Sequence, residues 1–471
     1  MLFNSIPFLV LFIILYTVYW NVSQPRKKLL LLASSILFYA WFSHYFLLHF
    51  LLVIIANYFA SNYLFRLKSK NANTSLALKL VIAGNFINLA VFKYFYFFSD
   101  IAIYVTGSEW LSSFSSGIHI ILPLAISFYT FQIVAIQVDI HRNIITDKIP
   151  FYDYVLFIIF FPQLIAGPIM RSNHFLPQIN NPYIDYNNMI KGIYFILGGL
   201  FKKVVIADNI SGIVVPVFRD PSSYDAGVLL LVLFGFAGQV YSDFSGYTDI
   251  ARGTAFLLGY NIPENFRGPF LSTSFRDLWA RWHVTLSTWL RDYLYIPLGG
   301  NKRGFFYSNL NMFITMCLGG LWHGASLNFL LWGAFLGALL WLERILELFV
   351  KMDESKLVTK LVKIPVVFLL FSLSGVFFGT ASFGKHSWEK ALQYFNGLLG
   401  NNSSGANSFL RFDELVLYII IVFVFNFIQH KEQEYKIRKL DKVFIPAFSL
   451  VLLFLLGIYG DGGANFVYFQ F

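Results

Sequence analysis

FLLHFLLVIIANYFASNYLF, Phe46 to Phe65, is a run of 20 residues without Asp, Glu, Lys or Arg, closed by the basic cluster Arg66, Lys68 and Lys70. A helix rises about 1.5 Å per residue and the hydrocarbon core of a bilayer is roughly 30 Å thick, so such a run is long enough to cross. Its basic end is expected in the cytoplasm, where Lys and Arg collect. Working outward, comparable apolar stretches run from Ile6 to Trp20, Leu29 to Phe42, Leu76 to Phe98, Ile118 to Ile140, Tyr154 to Ala166, Met189 to Ala207 and Ala226 to Tyr241. Further stretches run from Phe305 to Leu318, Leu327 to Trp341, Ile364 to Phe378, Leu415 to Gln429 and Val443 to Tyr459, which makes thirteen in all. Several are short enough to be broken or re-entrant. The expected fold is therefore all-α and polytopic, with about twelve crossings in one membrane domain over residues 1–471.

Composition agrees. Hydrophobic residues make up 57% and charged residues 13% of the 471, with a mean hydropathy of +0.63. Soluble domains carry about 25% charged residues, so an ordinary soluble enzyme is excluded. The net charge of +10 is spread over short clusters between apolar segments, which read as topology signals rather than a nucleic-acid surface. Arg26, Lys27 and Lys28, then Arg66 to Lys79, then Arg142 and Lys148 mark alternate loops, while Ser99 to Gly117 has no Lys or Arg. Lys431, Lys436, Arg438, Lys439 and Lys442 mark a further basic loop before the last span. Both chain ends are accordingly expected outside. The opening MLFNSIPFLVLFIILYTVYW lacks a basic n-region and a small-residue cleavage site, so it is expected to remain as the first span. Cys317 is the only cysteine and sits among apolar residues, which suits packing better than nucleophilic chemistry.

The segment from Ser242 to Arg303 departs from this pattern, with seven basic and five acidic residues in 62, and is too polar to be expected to span. Ser272 to Ser274 predict a helix start, followed by an amphipathic helix from Phe275 to about Leu294. At helical spacing Trp279, His283, Leu286, Ser287 and Leu290 share one face, and Asp277, Arg281, Thr288 and Arg291 another. The helix reads either as an interfacial one, with tryptophans at headgroup level, or as the lining of a cytoplasmic cavity mouth. Asp243 is expected either to pair with a basic residue of this helix or to orient a histidine.

A second concentration is GGLWHGAS, Gly319 to Ser326, where His323 lies between two apolar stretches among glycines that permit close backbone approach. It reads as a solvated turn, a packed histidine, or a catalytic group, since an ionisable side chain inside a membrane bundle is costly. The seven other histidines lie near span ends or charged loops and read as surface or packing residues. HExxH, CxxC, EF-hand, GxSxG and Walker A patterns are absent, so nothing in the sequence argues for a metal.

These residues carry a family resemblance. FFPQLIAGPIMR (Phe160 to Arg171), DFSGYTDIARG (Asp243 to Gly253), PENF (Pro263 to Phe266), FRDLWARWHVTLSTWLRDYLYIPLGGN (Phe275 to Asn301), GGLWHG (Gly319 to Gly324) and VYFQF (Val467 to Phe471) resemble the membrane-bound O-acyltransferases. Within them the match is to the branch that O-acetylates alginate and peptidoglycan, with teichoic acid D-alanyl transferases as near relatives. The resemblance implies a ring of about 11–12 spans with broken and re-entrant helices in a bacterial inner membrane. It implies that His323 is the catalytic histidine and His283 the second family histidine. A partly buried imidazole with a pKa below its usual value of about 6.5 would be a neutral base for a hydroxyl attacking a thioester.

Acetyl-CoA is the implied donor, and Arg276, Arg281, Arg291, Lys302 and Arg303 are plausible partners for its phosphates, because guanidinium forks suit phosphate. The acceptor polymer would lie outside, reached through an extracytoplasmic SGNH or serine-esterase-like partner. The aromatic tail at 464–471 reads either as an interfacial anchor or as a carrier that offers Tyr468 to the acyl group near His323. The competing classes are a transporter or flippase, in which the histidines would relay protons, and a scaffold that docks cytoplasmic proteins.

Overall fold

The architecture comes from a computed structural model of the chain. It describes all residues except 351, 354, 355, 403–410, 436–448 and 458–471, together with the side chains of 385 and 432–435. The expected tail site Tyr468 lies outside the described residues. Among these residues the chain is helical, with no strand. Among the described residues six helices are long and apolar enough to cross a membrane: Gln24–Ser69, Ser75–Thr106, Ala226–Leu257, Leu327–Phe349, Leu357–Gly384 and Phe412–Lys431. The protein is a multi-pass membrane protein. By contacts it divides into two compact units, Met1–Ile196 with Ile250–Pro263, and Leu197–Asp249 with Glu264–Phe471.

In the first unit several expected spans take other forms. Leu29 to Phe42 and Phe46 to Phe65 are two limbs of the single helix Gln24–Ser69, interrupted where Ser43 leaves helical geometry (φ −141°, ψ 56°). Straight, 46 residues would reach roughly 70 Å, more than twice a bilayer core, so an interruption near the middle is what such a length requires. The expected span from Ile118 begins as helix only at Ile126–His141, because Pro123 has no amide to give and Ala125 turns left-handed (φ 61°). Tyr154 to Ala166 is likewise split at Phe160, into Phe151–Ile159 and Phe161–Leu164.

Helices of this unit are joined by polar side chains. Asn57 and Asn85 exchange amide hydrogen bonds of 3.0 and 2.8 Å, and Gln137 donates to the Asn57 carbonyl (3.0 Å) and to Ser61 Oγ (2.9 Å). Between apolar helices hydrophobic burial gives little preference for one register, so such pairs, with close packing, set it.

The second unit corrects the boundary expected at Ser242. The helix continues from Ala226 through Ser242 to Leu257, and Ser242, Asp243, Ser245 and Thr248 are buried. Polarity does not end the helix because its charges are paired. Lys203 meets Asp243 at 2.8 Å and Asp208 at 2.7 Å, while Lys202 pairs with Asp249 and donates to Ser245 Oγ at 2.7 Å. Both lysines sit on the π-helical turn Phe201–Ala207. Asp243 thus pairs with Lys203.

Helices Gly304–His323 and Leu327–Phe349 cross at glycine. A Cβ on Gly320 would fall 2.2 Å from the Phe329 carbonyl oxygen, and one on Gly333 would fall 2.3 Å from the Met316 carbonyl oxygen. Neither position tolerates a side chain without separating the backbones. Gly333→Ala is expected to destabilise the protein by about 1–3 kcal/mol, the range for an overpacked core. Its thermal unfolding in detergent should shift down, while Gly84→Ala, with nothing within 4 Å, should not; equal melting of the two variants would refute the crossing.

Candidate active site

The segment expected as one amphipathic helix folds as two short ones. Ser274 caps the first, Phe275–Arg281, by accepting from the Asp277 amide at 3.0 Å, and Glu343 receives the amides of Phe275 and of Arg276, the latter at 3.3 Å. The helix start expected at Ser272 to Ser274 is where the structure places it. The chain then leaves helical geometry at Trp282 (φ −101°, ψ 126°) and turns left-handed at His283 (φ 42°, ψ 52°) before Val284–Leu290. A left-handed imidazole-bearing residue is strained, and such residues persist only where their surroundings hold them. Asn265 of the PENF motif does so. Its carbonyl accepts from the Val284 amide (3.0 Å), and its side-chain oxygen accepts from Thr285 Oγ1 (2.6 Å) and the Thr285 amide (3.3 Å).

The break separates residues that one helix would have aligned. Trp279 packs on Trp332, with ring centroids 6.1 Å apart, whereas His283 meets Phe244 at 4.6 Å and Trp322 at 6.0 Å. His283 is 1% exposed, and neither ring nitrogen has a hydrogen-bond partner among the described residues. Burial disfavours the imidazolium and pushes the pKa of this residue, which lies outside the six long helices, down to about 3.

His323 ends the helix Gly304–His323, and Gly324 continues in extended geometry into the Ser326 cap of the next helix. The ring is buried, so a solvated surface turn is not what the fold builds. It stands against Trp322 and Trp332, both at 5.0 Å, and Phe378 at 5.5 Å. Trp322 therefore touches both histidines. Beside His323 lies a chamber of about 30 Å³ whose lining includes Phe236, Trp282, Trp332, Ser372 and Phe378.

A larger cavity of about 900 Å³ collects Arg276 and Arg281 with Lys360, Lys431 and His430. Arg276 is engaged by Glu347 (2.7 Å), and Arg281 by Asp277 (2.7 Å) and by His430 Nδ1, to which it donates at 2.6 Å. Arg291, Lys302 and Arg303 are not among its lining residues; Arg291 pairs with Asp292, and the other two are exposed. Lys360 and Lys431 lie far along the chain, and only their shared cavity shows that they belong with the arginines. Asn265 lay within the PENF motif with no role attached to it, and Ser372 gave no signal in an apolar stretch.

Helices apolar and long enough to span a membrane, with two buried imidazoles and a cavity lined by arginine and lysine in the same unit, define an integral membrane protein. The chain belongs to the membrane-bound O-acyltransferase family, whose family model matches residues 71–383. It is 36% identical to "Probable alginate O-acetylase AlgI" of Pseudomonas aeruginosa, over 80% of this chain and 72% of that one. It is 32% identical to "Peptidoglycan O-acetyltransferase" of Helicobacter pylori, over 94% and 91% of the two chains. A "Teichoic acid D-alanyltransferase" of Bacillus subtilis is 30% identical over 45% of this chain and 56% of its own. The protein is thus an acyltransferase of the membrane.

His283 gives the site a pH signature. Its folded pKa lies below the unfolded value of about 6.5, so below that pH the unfolded chain binds a proton that the folded chain refuses. Stability is then expected to fall as the pH is lowered from 6.5 toward 4, by up to about 1.4 kcal/mol per pH unit from this residue. Thermal unfolding in detergent between pH 4 and 7 should show a shallower slope for His283→Gln than for wild type, and identical slopes would refute the buried neutral imidazole.

Proposed function

We infer that the enzyme takes an acetyl group from acetyl-CoA on the cytoplasmic side of a bacterial inner membrane and delivers it outside for O-acetylation of a polysaccharide. The observation that carries this reading is His323, a buried imidazole at the wall of a small chamber in a chain related to O-acetyltransferases. In the transfer an acceptor hydroxyl attacks the thioester carbonyl: a C–O bond forms and the C–S bond breaks. His323 takes the hydroxyl proton and returns it to the leaving sulfur, which departs as the thiol. His283 supports the reaction through Trp322, which it shares with His323. Arg276 and Arg281, joined by Lys360 and Lys431, offer the donor's phosphates a cationic cavity, with the phosphates displacing Glu347 and Asp277. An extracytoplasmic SGNH-type esterase completes transfer to the polymer, and Tyr468 is the hydroxyl that carries acetyl toward it.

Purified protein incubated with labelled acetyl-CoA should release CoA and carry label on the C-terminal peptide. His323→Ala should lower the rate about 10²- to 10⁴-fold, the worth of a general base, and His283→Ala should retain part of it. Tyr468→Phe should abolish the labelled peptide. Normal turnover in His323→Ala would end the assignment, and normal polymer acetylation in Tyr468→Phe would leave that residue as an anchor.

Alternate basic loops support the proposed orientation, with both termini outside. In a Cys317→Ser background, a cysteine at Ser112 should react with an impermeant thiol reagent added to intact cells, and a cysteine at Ser69 should not. The reverse pattern would invert the topology.

A further inference from the structure

The chamber beside His323 has features that a general base alone does not require. Ser372, on helix Leu357–Thr380, lines it and is 1% exposed, yet its Oγ has no hydrogen-bond partner among the described residues. Ser374, two residues on, behaves differently and donates back to the Phe371 carbonyl at 2.6 Å. A buried hydroxyl among aromatic rings is expected to find a partner, and one left over beside an imidazole points to a ligand atom. The chamber is also small. About 30 Å³ admits roughly two or three water-sized atoms, the size of a CH3–C=O group. Gly375 and Phe236 both line it and pack together, so that a Cβ on Gly375 would meet Phe236 Cδ1 at 3.1 Å and Leu233 Cδ1 at 3.6 Å. No carboxylate lies among the described lining residues, so nothing anionic there would answer an ammonium group.

We propose that this chamber is the acyl pocket of the enzyme, in which Ser372 Oγ donates to the acyl carbonyl and the contact between Gly375 and Phe236 limits the acyl group to two uncharged carbons. The proposal rests on the acyl-transfer reading above and narrows it to residues. Ser372 would hold the carbonyl oxygen as negative charge develops on it, while the methyl group points toward Phe236. A longer chain meets the Phe236 ring. A D-alanyl group brings an additional methyl and a charge for which the chamber has no counterpart.

The test is the donor profile of the purified full-length enzyme with acetyl-, propionyl- and butyryl-CoA and a D-alanyl thioester, followed by thiol release. One methylene in an apolar pocket is worth roughly 10- to 200-fold, so wild type should favour acetyl over propionyl by about tenfold or more, with butyryl and D-alanyl lower still. Phe236→Leu should raise the propionyl-to-acetyl ratio of kcat/KM about tenfold, and Gly375→Ala should depress acetyl turnover. Ser372→Ala should lower kcat about 10²-fold for every donor without changing the ratios, as loss of a carbonyl donor does, at unchanged thermal stability. Wild type that uses acetyl and butyryl alike, or that prefers D-alanyl, overturns the pocket without any variant, and so does Ser372→Ala with normal kcat. Turnover without discrimination overturns the pocket alone, whereas no thiol release from any donor overturns the acyl-transfer reading and the pocket with it.

Discussion

A backbone that leaves helical geometry inside an apolar bundle has no water to satisfy the amides it frees, and the turn at Trp282 and His283 persists because Asn265 receives them. The Val284 amide and the Thr285 amide and hydroxyl all end on this one residue. Arg267 reinforces it, donating its amide to the Arg281 carbonyl at 3.0 Å. Without those acceptors the segment could relax into the continuous helix its periodicity suggests, and His283 would rotate back onto the face of Trp279. The seat of His283 between Phe244 and Trp322, and the entry of Trp282 into the chamber beside His323, both follow from the break. A buried unpaired amide costs about 1–3 kcal/mol, which is the scale on which these acceptors support the turn.

The second unit separates two uses of buried polarity. Lys202 and Lys203 are almost fully buried, yet each meets a carboxylate, and the three aspartates span Asp208, Asp243 and Asp249. Charges so closely paired hold helices in register; their net worth is small, but removing one partner would strand the other. His283 and Ser372 are buried to a similar degree with no charge facing them and polar atoms left over among the described residues. The lysine and aspartate cluster reads as framework because each cation is met by a carboxylate.

Much of this was legible in the sequence, and the exceptions have a common physical cause. Hydropathy fixed the all-helical membrane class, Ser274 marked a helix start, and GGLWHG marked a glycine crossing next to a histidine, because each is a local property of a few residues. The continuation of Ala226–Leu257 past Ser242 was not legible, since whether Asp243 ends a membrane helix depends on Lys203, 40 positions away. Periodicity drew a single helix through His283, since nothing in Phe275 to Leu294 reveals that Asn265 will take its amides. The basic residues grouped from Arg276 to Arg303 are divided by the fold, and Arg276 and Arg281 acquire Lys360 and Lys431 instead.

The apolar surroundings of His323 answer two demands at once. A membrane protein must fill its interior with groups that need no water, and Trp322, Trp332 and Phe378 do this around the imidazole. In the proposed reaction a thioester beside His323 must also be shielded from water, a demand that aromatic rings packed around a space of about 30 Å³ suit. Glycine crossings make this closure possible: Gly320 and Gly333 bring two backbones together, so the end of helix Gly304–His323 cannot slide relative to Trp332 on its neighbour. In the proposed reaction a ring fixed in this way has little freedom to search for its proton: the hydroxyl comes to it, and specificity falls to the walls that the hydroxyl and the acyl group meet on arrival.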